Sequence, residues 1–435
     1  MSETIEAPNT NIPYIDKTRQ RRAVMAAAIG NAVEWYDFVI YAFLSQTIAK
    51  LFFPSGDETV SLLIAMATFG VGFVMRPVGA IVIGAYADRV GRKQALLLTI
   101  LLMGLGTAMI GVAPTYASIG WWAALLVVVA RLIQGFSAGG ELGSATAFMI
   151  EHSAKGKRGL SASWQQASQA GTLLVGTIVG ASISGLMSKE ELEAWGWRIP
   201  FLLGLLILPV GIYIRSQIDE TPAFLELNRE NAGKPLATLF RGNARQVAAG
   251  LGLVVVWTVC IYFFLVYMPT YAQRQLGISQ SNSLFANGVA LVALTVLVPL
   301  FGALSDKLGR KPLLIIGAGA ICVFSYPLIF LLTSVPTIAM LIAVQLIMAV
   351  LIAVFTGPAP AALGELFPTN VRSTGMSIAY NAAVAIFGGF APFISTWLIA
   401  HTNNPLAPAA YVTAAAVISL AALIFMKETA FEPNL

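Results

Sequence analysis

Apolar stretches of about twenty residues, the length that crosses a bilayer as an α-helix, recur at regular intervals along this chain. They fall near 23–48, 60–86, 94–113, 118–146, 160–186 and 197–215, then near 246–272, 283–304, 312–332, 336–362, 371–399 and 405–427. A polar stretch at about 216–245, containing Asp219-Glu220-Thr221-Pro222, divides these twelve predicted spans into two blocks of six. The pattern predicts an all-α polytopic membrane protein. Its expected parts are a tail over 1–22, a bundle over 23–215, a linker with some amphipathic helix over 216–245, a second bundle over 246–427 and a short tail over 428–435.

Composition agrees with the pattern. Of the 435 residues, 57% are hydrophobic and 11% charged, and a soluble domain of this length carries roughly twice that charge on its surface. A soluble helical protein is excluded because too few amphipathic segments remain to shield so many apolar ones.

Charge placement tests the span count separately, since Lys and Arg gather in short cytoplasmic loops. With the N-terminus inside, 20 of the 26 basic residues fall in cytoplasmic segments: Lys17, Arg19, Arg21, Arg22, Arg89, Arg92, Lys93, Lys155, Lys157, Arg158, Arg215, Arg229, Lys234, Arg241, Arg245, Lys307, Arg310, Lys311, Arg372 and Lys427. Lys50, Lys189, Arg198 and Arg274 fall outside, and Arg76 and Arg131 lie within spans. Both termini are therefore expected in the cytoplasm. The net charge of +5 reflects orientation in the membrane and implies no nucleic-acid partner. Residues 1–18 hold no apolar run, so no cleavable signal peptide is expected. Cys260 and Cys322 sit within spans as small buried residues, with neither metal nor redox spacing.

The chain repeats itself. Gly84-Ala85-Tyr86-Ala87-Asp88-Arg89-Val90-Gly91-Arg92-Lys93 returns as Gly302-Ala303-Leu304-Ser305-Asp306-Lys307-Leu308-Gly309-Arg310-Lys311 at an offset of 218, about half the chain. Glu151 with Arg158 returns as Glu365 with Arg372 at an offset of 214. An even number of spans separates the copies, which is the parallel-repeat arrangement of transporters.

The repeated Gly-x-x-x-Asp-Arg/Lys-x-Gly-Arg-Lys loop resembles the signature of the major facilitator superfamily. Four further segments are similar to its metabolite:proton symporter family: 30–38 (GNAVEWYDF), 73–79 (FVMRPVG), 131–141 (RLIQGFSAGGE) and 195–201 (WGWRIPF). The resemblance implies the major facilitator fold, twelve transmembrane helices in two pseudo-symmetric six-helix bundles. It also implies a bacterial inner-membrane symporter, expected as a monomer without cofactor or metal, that takes up citrate, 2-oxoglutarate, shikimate, proline or betaine with protons.

Five ionisable residues fall inside predicted spans, Glu34, Asp37, Arg76, Arg131 and Glu141, all in the N-terminal half. Each costs about 2.5–3.5 kcal/mol at mid-bilayer on insertion scales, so such groups line polar cavities and pair. Glu34 and Asp37 share a helix face, and two close carboxylates do not both ionise cheaply, which suits a proton carrier. Arg76 and Arg131 stay charged and can grip a carboxylate bidentately, so they are the expected substrate anchors. Asn31, Tyr36 and Gln134 come from the same motifs and join the expected substrate site.

Adding 214 to Arg131 reaches Gln345, so the C-terminal half keeps a neutral group where the N-terminal half has a charge. Tyr262, Tyr267, Gln345, Tyr380 and Asn381 are the candidate neutral contacts, each equally readable as a helix–helix hydrogen bond. The fifth span opens with a polar run holding Gln165, Gln166 and Gln169, similar to the same helix of citrate and tricarballylate carriers. Asp88, Arg92, Glu141, Glu151 and Arg158, with Asp306, Arg310, Glu365 and Arg372, form an expected cytoplasmic gate in which each half pairs its own residues.

These readings converge on a proton-coupled symporter of an organic anion such as citrate. Proline or betaine uptake is the second reading, disfavoured by the short C-terminal tail, and a non-transporting solute sensor the third. No enzyme is expected, because neither His152 nor His401 stands with a nucleophile or a metal-ligand cluster.

Overall fold

The computed structural model describes residues 35–216 and 242–432, apart from 91, 140, 152, 154–155 and 369–370. Asn31 and Glu34 lie outside this set, as do the side chains of Asp88, Arg92 and Glu141, the N-terminal tail and most of the expected linker.

Twelve helical stretches follow in order. The first six are α1 (35–52, with a turn at 44), α2 (Glu58–Val90), α3 (Arg92–Gly111), α4 (Trp121–Ala138, continuing as Glu141–Glu151), α5 (Arg158–Leu186) and α6 (Arg198–Ser216). The second six are α7 (Ala244–Leu276), α8 (Gln280–Leu308), α9 (Arg310–Ser334), α10 (Ile338–Glu365), α11 (Arg372–Thr402) and α12 (Ala407–Ile424). Among the described residues, ten helices are long and apolar enough to cross a membrane, and α1 and α6 complete the expected twelve.

Local chemistry sets several boundaries. Asp57 accepts from the N–H groups of Thr59 at 2.6 Å and Val60 at 3.4 Å as α2 begins, which holds its carboxyl below the usual carboxylate range. Thr337 likewise caps α10 through Met340 N–H at 3.2 Å. Pro77, Pro209, Pro299 and Pro327 sit inside helices, as helices that span a membrane tolerate.

Helix α4 is described in two stretches, Trp121–Ala138 and Glu141–Glu151, and Asn381 of α11 donates to the Gly139 carbonyl at 2.7 Å. Helix α7 carries a π-helical segment, Ile261–Tyr267. Two of its carbonyls are served from neighbouring helices: Gln345 donates to Phe264 O at 3.3 Å and Asn287 to Leu265 O at 2.9 Å. Such wide turns concentrate at functional sites.

Small residues let α2 and α4 approach closely, the packing that replaces hydrophobic drive inside a bilayer. A Cβ added at Gly135 would lie 1.6 Å from the carbonyl oxygen of Gly72. Backbone cannot yield there as a flexible side chain could, so Gly135→Ala is expected to cost about 1–3 kcal/mol or more. A fall of several degrees in the melting temperature of the detergent-solubilised protein would show it; an unchanged melt would contradict this contact.

The two halves meet where α5 packs on α8 and where α11 packs on α2 and the second part of α4. Asp37, Arg76 and Arg131 all lie buried in the N-terminal half.

Candidate functional site

Asp37 on α1 is 2% exposed and Arg131 on α4 fully buried. They make no ion pair with each other, and two neutral side chains join them. Thr107 of α3 donates its hydroxyl to Asp37 Oδ2, Gln134 Nε2 donates to Thr107 Oγ1 at 3.1 Å, and Arg131 Nη1 donates to Gln134 Oε1 at 2.8 Å. Every donor in this chain points toward the carboxylate. The Thr107 hydroxyl has a second acceptor in reach, the Met103 carbonyl at 3.0 Å.

Asp37 faces the outer helices: its Oδ1 lies where a Cβ on Gly204 of α6 would come within 3.0 Å, and it has no hydrogen-bond partner. Tyr36, expected at the substrate, also turns to α6 and donates to Pro200 O at 2.9 Å. Residues at i and i+1 on α1 thus both look away from the seam, while Trp35 looks into it, against Tyr262.

Both arginines lie on aromatic faces, where a guanidinium gains cation–π attraction away from water. The Arg131 guanidinium carbon is 4.3 Å from the Phe38 ring centre, 4.7 Å from Tyr41 and 5.3 Å from Phe69. That of Arg76 is 4.9 Å from Phe38 and 4.7 Å from Phe73. Arg131 keeps its Nε and Nη2 hydrogens buried with no acceptor, each costing about 1–3 kcal/mol until something accepts them.

Across the seam, Tyr262 packs edge-on against Phe73 and Phe69, and Tyr380 edge-on against Trp257. Trp257 donates to Gln166 Oε1 at 3.0 Å. Gln345 and Asn381 are engaged in the helix contacts described above, and Tyr267 accepts from Thr396 at 2.8 Å.

The Asp306 loop end of the bundle is tied across the halves, which corrects gates closed within each half. Glu151 of α4 pairs with Arg372 of α11 at 3.1 Å. Asp306 accepts from the Gly159 and Leu160 N–H groups at 2.8 and 3.0 Å, capping α5 from α8. Arg310 joins Asp306 at 2.9 Å to Glu365 at 3.3 Å within the C-terminal half, as expected. Arg158 reaches the Glu432 carbonyl at 3.5 Å.

The other end is tied as well: Gln46 donates to Gln273 at 2.7 Å and Gln280 to Phe43 O at 2.9 Å. Contacts between the two halves are therefore present at both ends of the bundle.

Sequence reasoning missed Thr107 and Trp257. Thr107 carried one signal, because adding the repeat offset of 218 gives Ser325, another fully buried hydroxyl. Trp257 carried none, being an ordinary aromatic in an apolar run.

Residues 23–239 and 226–434 each match the family described as sugar (and other) transporter. The chain is 37% identical to a citrate-proton symporter of Klebsiella pneumoniae over 93% of its length and 91% of the relative. It is 36% identical to a glycine betaine/proline/ectoine/pipecolic acid transporter of Dickeya dadantii over 97% and 86%. In fold it is similar to the major facilitator superfamily proton:xylose symporter XylE, with a TM-score of 0.77 and 18% identity over 95% of this chain and 97% of that one.

Proposed function

This chain belongs to the sugar (and other) transporter family of the major facilitator superfamily, and from that premise we propose that it imports an organic anion together with protons. It is a multi-pass membrane transporter and not an enzyme. The finer reading is symport of a di- or tricarboxylate such as citrate across a bacterial cytoplasmic membrane, with both termini inside.

The observation that carries it is the directed chain from Asp37 through Thr107 and Gln134 to Arg131. With Asp37 ionised, the chain steadies the Arg131 charge from a distance. A proton taken by Asp37 cancels that support, and Thr107 turns its hydroxyl to Met103 O while still accepting from Gln134. Arg131 then meets its charge requirement from a substrate carboxylate, which accepts the Nε and Nη2 hydrogens. A fixed guanidinium and a carboxylate fit this bidentate geometry. Loaded with both proton and anion, the site is compensated, and the halves can rock. The ties at the Asp306 end break as that end opens.

Relatives that carry betaine and proline support the osmolyte reading at nearly the same identity. The rings beside the two arginines argue against a quaternary ammonium at that point of the site. A quaternary ammonium needs such faces, and here Phe38, Tyr41, Phe69 and Phe73 already hold the two arginines. Uptake by proteoliposomes of a panel of labelled carboxylates, proline and betaine separates the readings: carboxylates are expected to accumulate, and betaine uptake alone would overturn the proposal.

Among the described residues, the charged and titratable groups facing Asp37 are Tyr36 on its own helix and Arg131 of α4; α3 offers Thr107, and Gly204 of α6 brings no charge. A hydrogen bond to a charged group is worth about 1.5–3 kcal/mol, and about 1.4 kcal/mol is one pH unit. Thr107→Val removes that support from the ionised carboxylate alone. The pH midpoint of uptake should rise by about one to two units, and Thr107→Ser should restore it. An unmoved midpoint would remove Thr107 from the chain.

A further inference from the structure

The three glutamines of α5 have an ordered set of hydrogen bonds that begins in the other half. The Trp257 indole N–H donates to Gln166 Oε1 at 3.0 Å. An indole only donates, so it settles which end of the Gln166 amide faces it, and the NH2 turns the other way. There Nε2 donates to Gln165 Oε1 at 2.5 Å and to Gln169 Oε1 at 2.9 Å. Both Gln166 hydrogens are used, and both neighbouring oxygens are turned inward.

The Nε2 groups of Gln165 and Gln169 are left buried with no partner, on side chains 3% and 2% exposed. Every amide oxygen of the trio is engaged, and the hydrogens left over are all donors. Arg131 borders the same seam, since its ring partner Phe69 packs on Tyr262, five residues beyond Trp257 on α7. Its spare groups are donors too.

We infer that Trp257 is a positioning residue that fixes the polarity of this trio, and that the Gln165 and Gln169 amides bind a second carboxylate of a substrate whose first carboxylate is held by Arg131. The inference rests on the anion-symport reading and assigns the residues that would distinguish a dicarboxylate from a monocarboxylate. A zwitterion's cationic end finds no unengaged amide oxygen there. Without the indole N–H, Gln166 is free to flip, and the trio presents mixed polarity.

The test is uptake by proteoliposomes holding the full chain, with succinate, citrate, acetate and betaine as labelled probes. Trp257→Phe should raise the succinate and citrate KM about tenfold with Vmax held within about twofold. The dicarboxylate-to-acetate ratio of kcat/KM should fall by a similar factor. Gln169→Glu keeps the oxygen that accepts from Gln166 and replaces the free amide by a second oxygen. It should cut succinate and citrate uptake at least about a hundredfold, and it decides the matter alone if Trp257→Phe fails to fold. Wild-type protein that carries betaine and no carboxylate would overturn the anion reading and this inference with it. Carboxylate transport by wild type, with variants that change only Vmax or that weaken acetate and citrate equally, would overturn this inference alone.

Discussion

Arg131→Ala is expected to abolish uptake, lowering kcat/KM for a carboxylate by about 10²–10³-fold. Arg131 lies on three aromatic rings with two N–H groups unmet, and no other described side chain of α4 in the buried core is charged. Losing one partner of a buried, hydrogen-bonded charge pair costs about 2–5 kcal/mol, which sets that range. Arg131→Lys should recover little, because an ammonium lacks the planar fork. Uptake and substrate binding by purified variants check this, with size-exclusion profiles to confirm folding. Binding at wild-type affinity by Arg131→Ala would remove it as the anchor.

Asp37→Asn should separate transport from its driving force. The amide stands for the protonated acid: it is neutral and cannot release a proton. Exchange of labelled for unlabelled substrate at equal pH is expected to continue, while accumulation against a gradient falls to a ratio of one. In wild type, each coupled proton should add about tenfold accumulation per pH unit, since one unit is about 1.4 kcal/mol. Gradient-driven accumulation by Asp37→Asn would move the coupling role to another residue, with Glu34 the next to substitute.

The sequence announced the spans and the duplication because both rest on long-range composition. Twenty apolar residues in a row have one stable outcome in lipid, and a repeated loop survives as letters. Arg131 and Asp37 were legible for the same reason, since charge inside a span is costly and needs a purpose. What joins them was not legible. Thr107 and Gln134 are ordinary polar residues on two helices, and their alignment with Asp37 depends on how α1, α3 and α4 rotate about their axes.

The direction in which a side chain looks was equally hidden. Asp37 and Tyr36 belong to a motif expected to line the central site, yet both turn to outer helices, and it is Trp35 that meets Tyr262. The gate showed the same limit. The repeat identified Glu151, Asp306, Glu365 and Arg372, but symmetric letters suggest symmetric pairs. Two of the contacts, Glu151 with Arg372 and Asp306 with the start of α5, run between the halves. Only the packing of one bundle on the other decides that.

Gln345 was expected either as a substrate contact or as a helix–helix hydrogen bond, and its amide nitrogen makes the second. It stands where the repeat puts the counterpart of Arg131, and it serves the π-helical backbone of α7 and Asn287. The C-terminal half thus uses this neutral group to hold its own helices.

Proton movement is the most direct test of the central claim. Proteoliposomes containing the protein and an internal pH-sensitive dye, at equal pH on both sides and without sodium, should acidify inside when citrate or another carboxylate substrate is added outside, and Asp37→Asn liposomes should not. Substrate entry with no internal acidification in wild type would contradict proton symport.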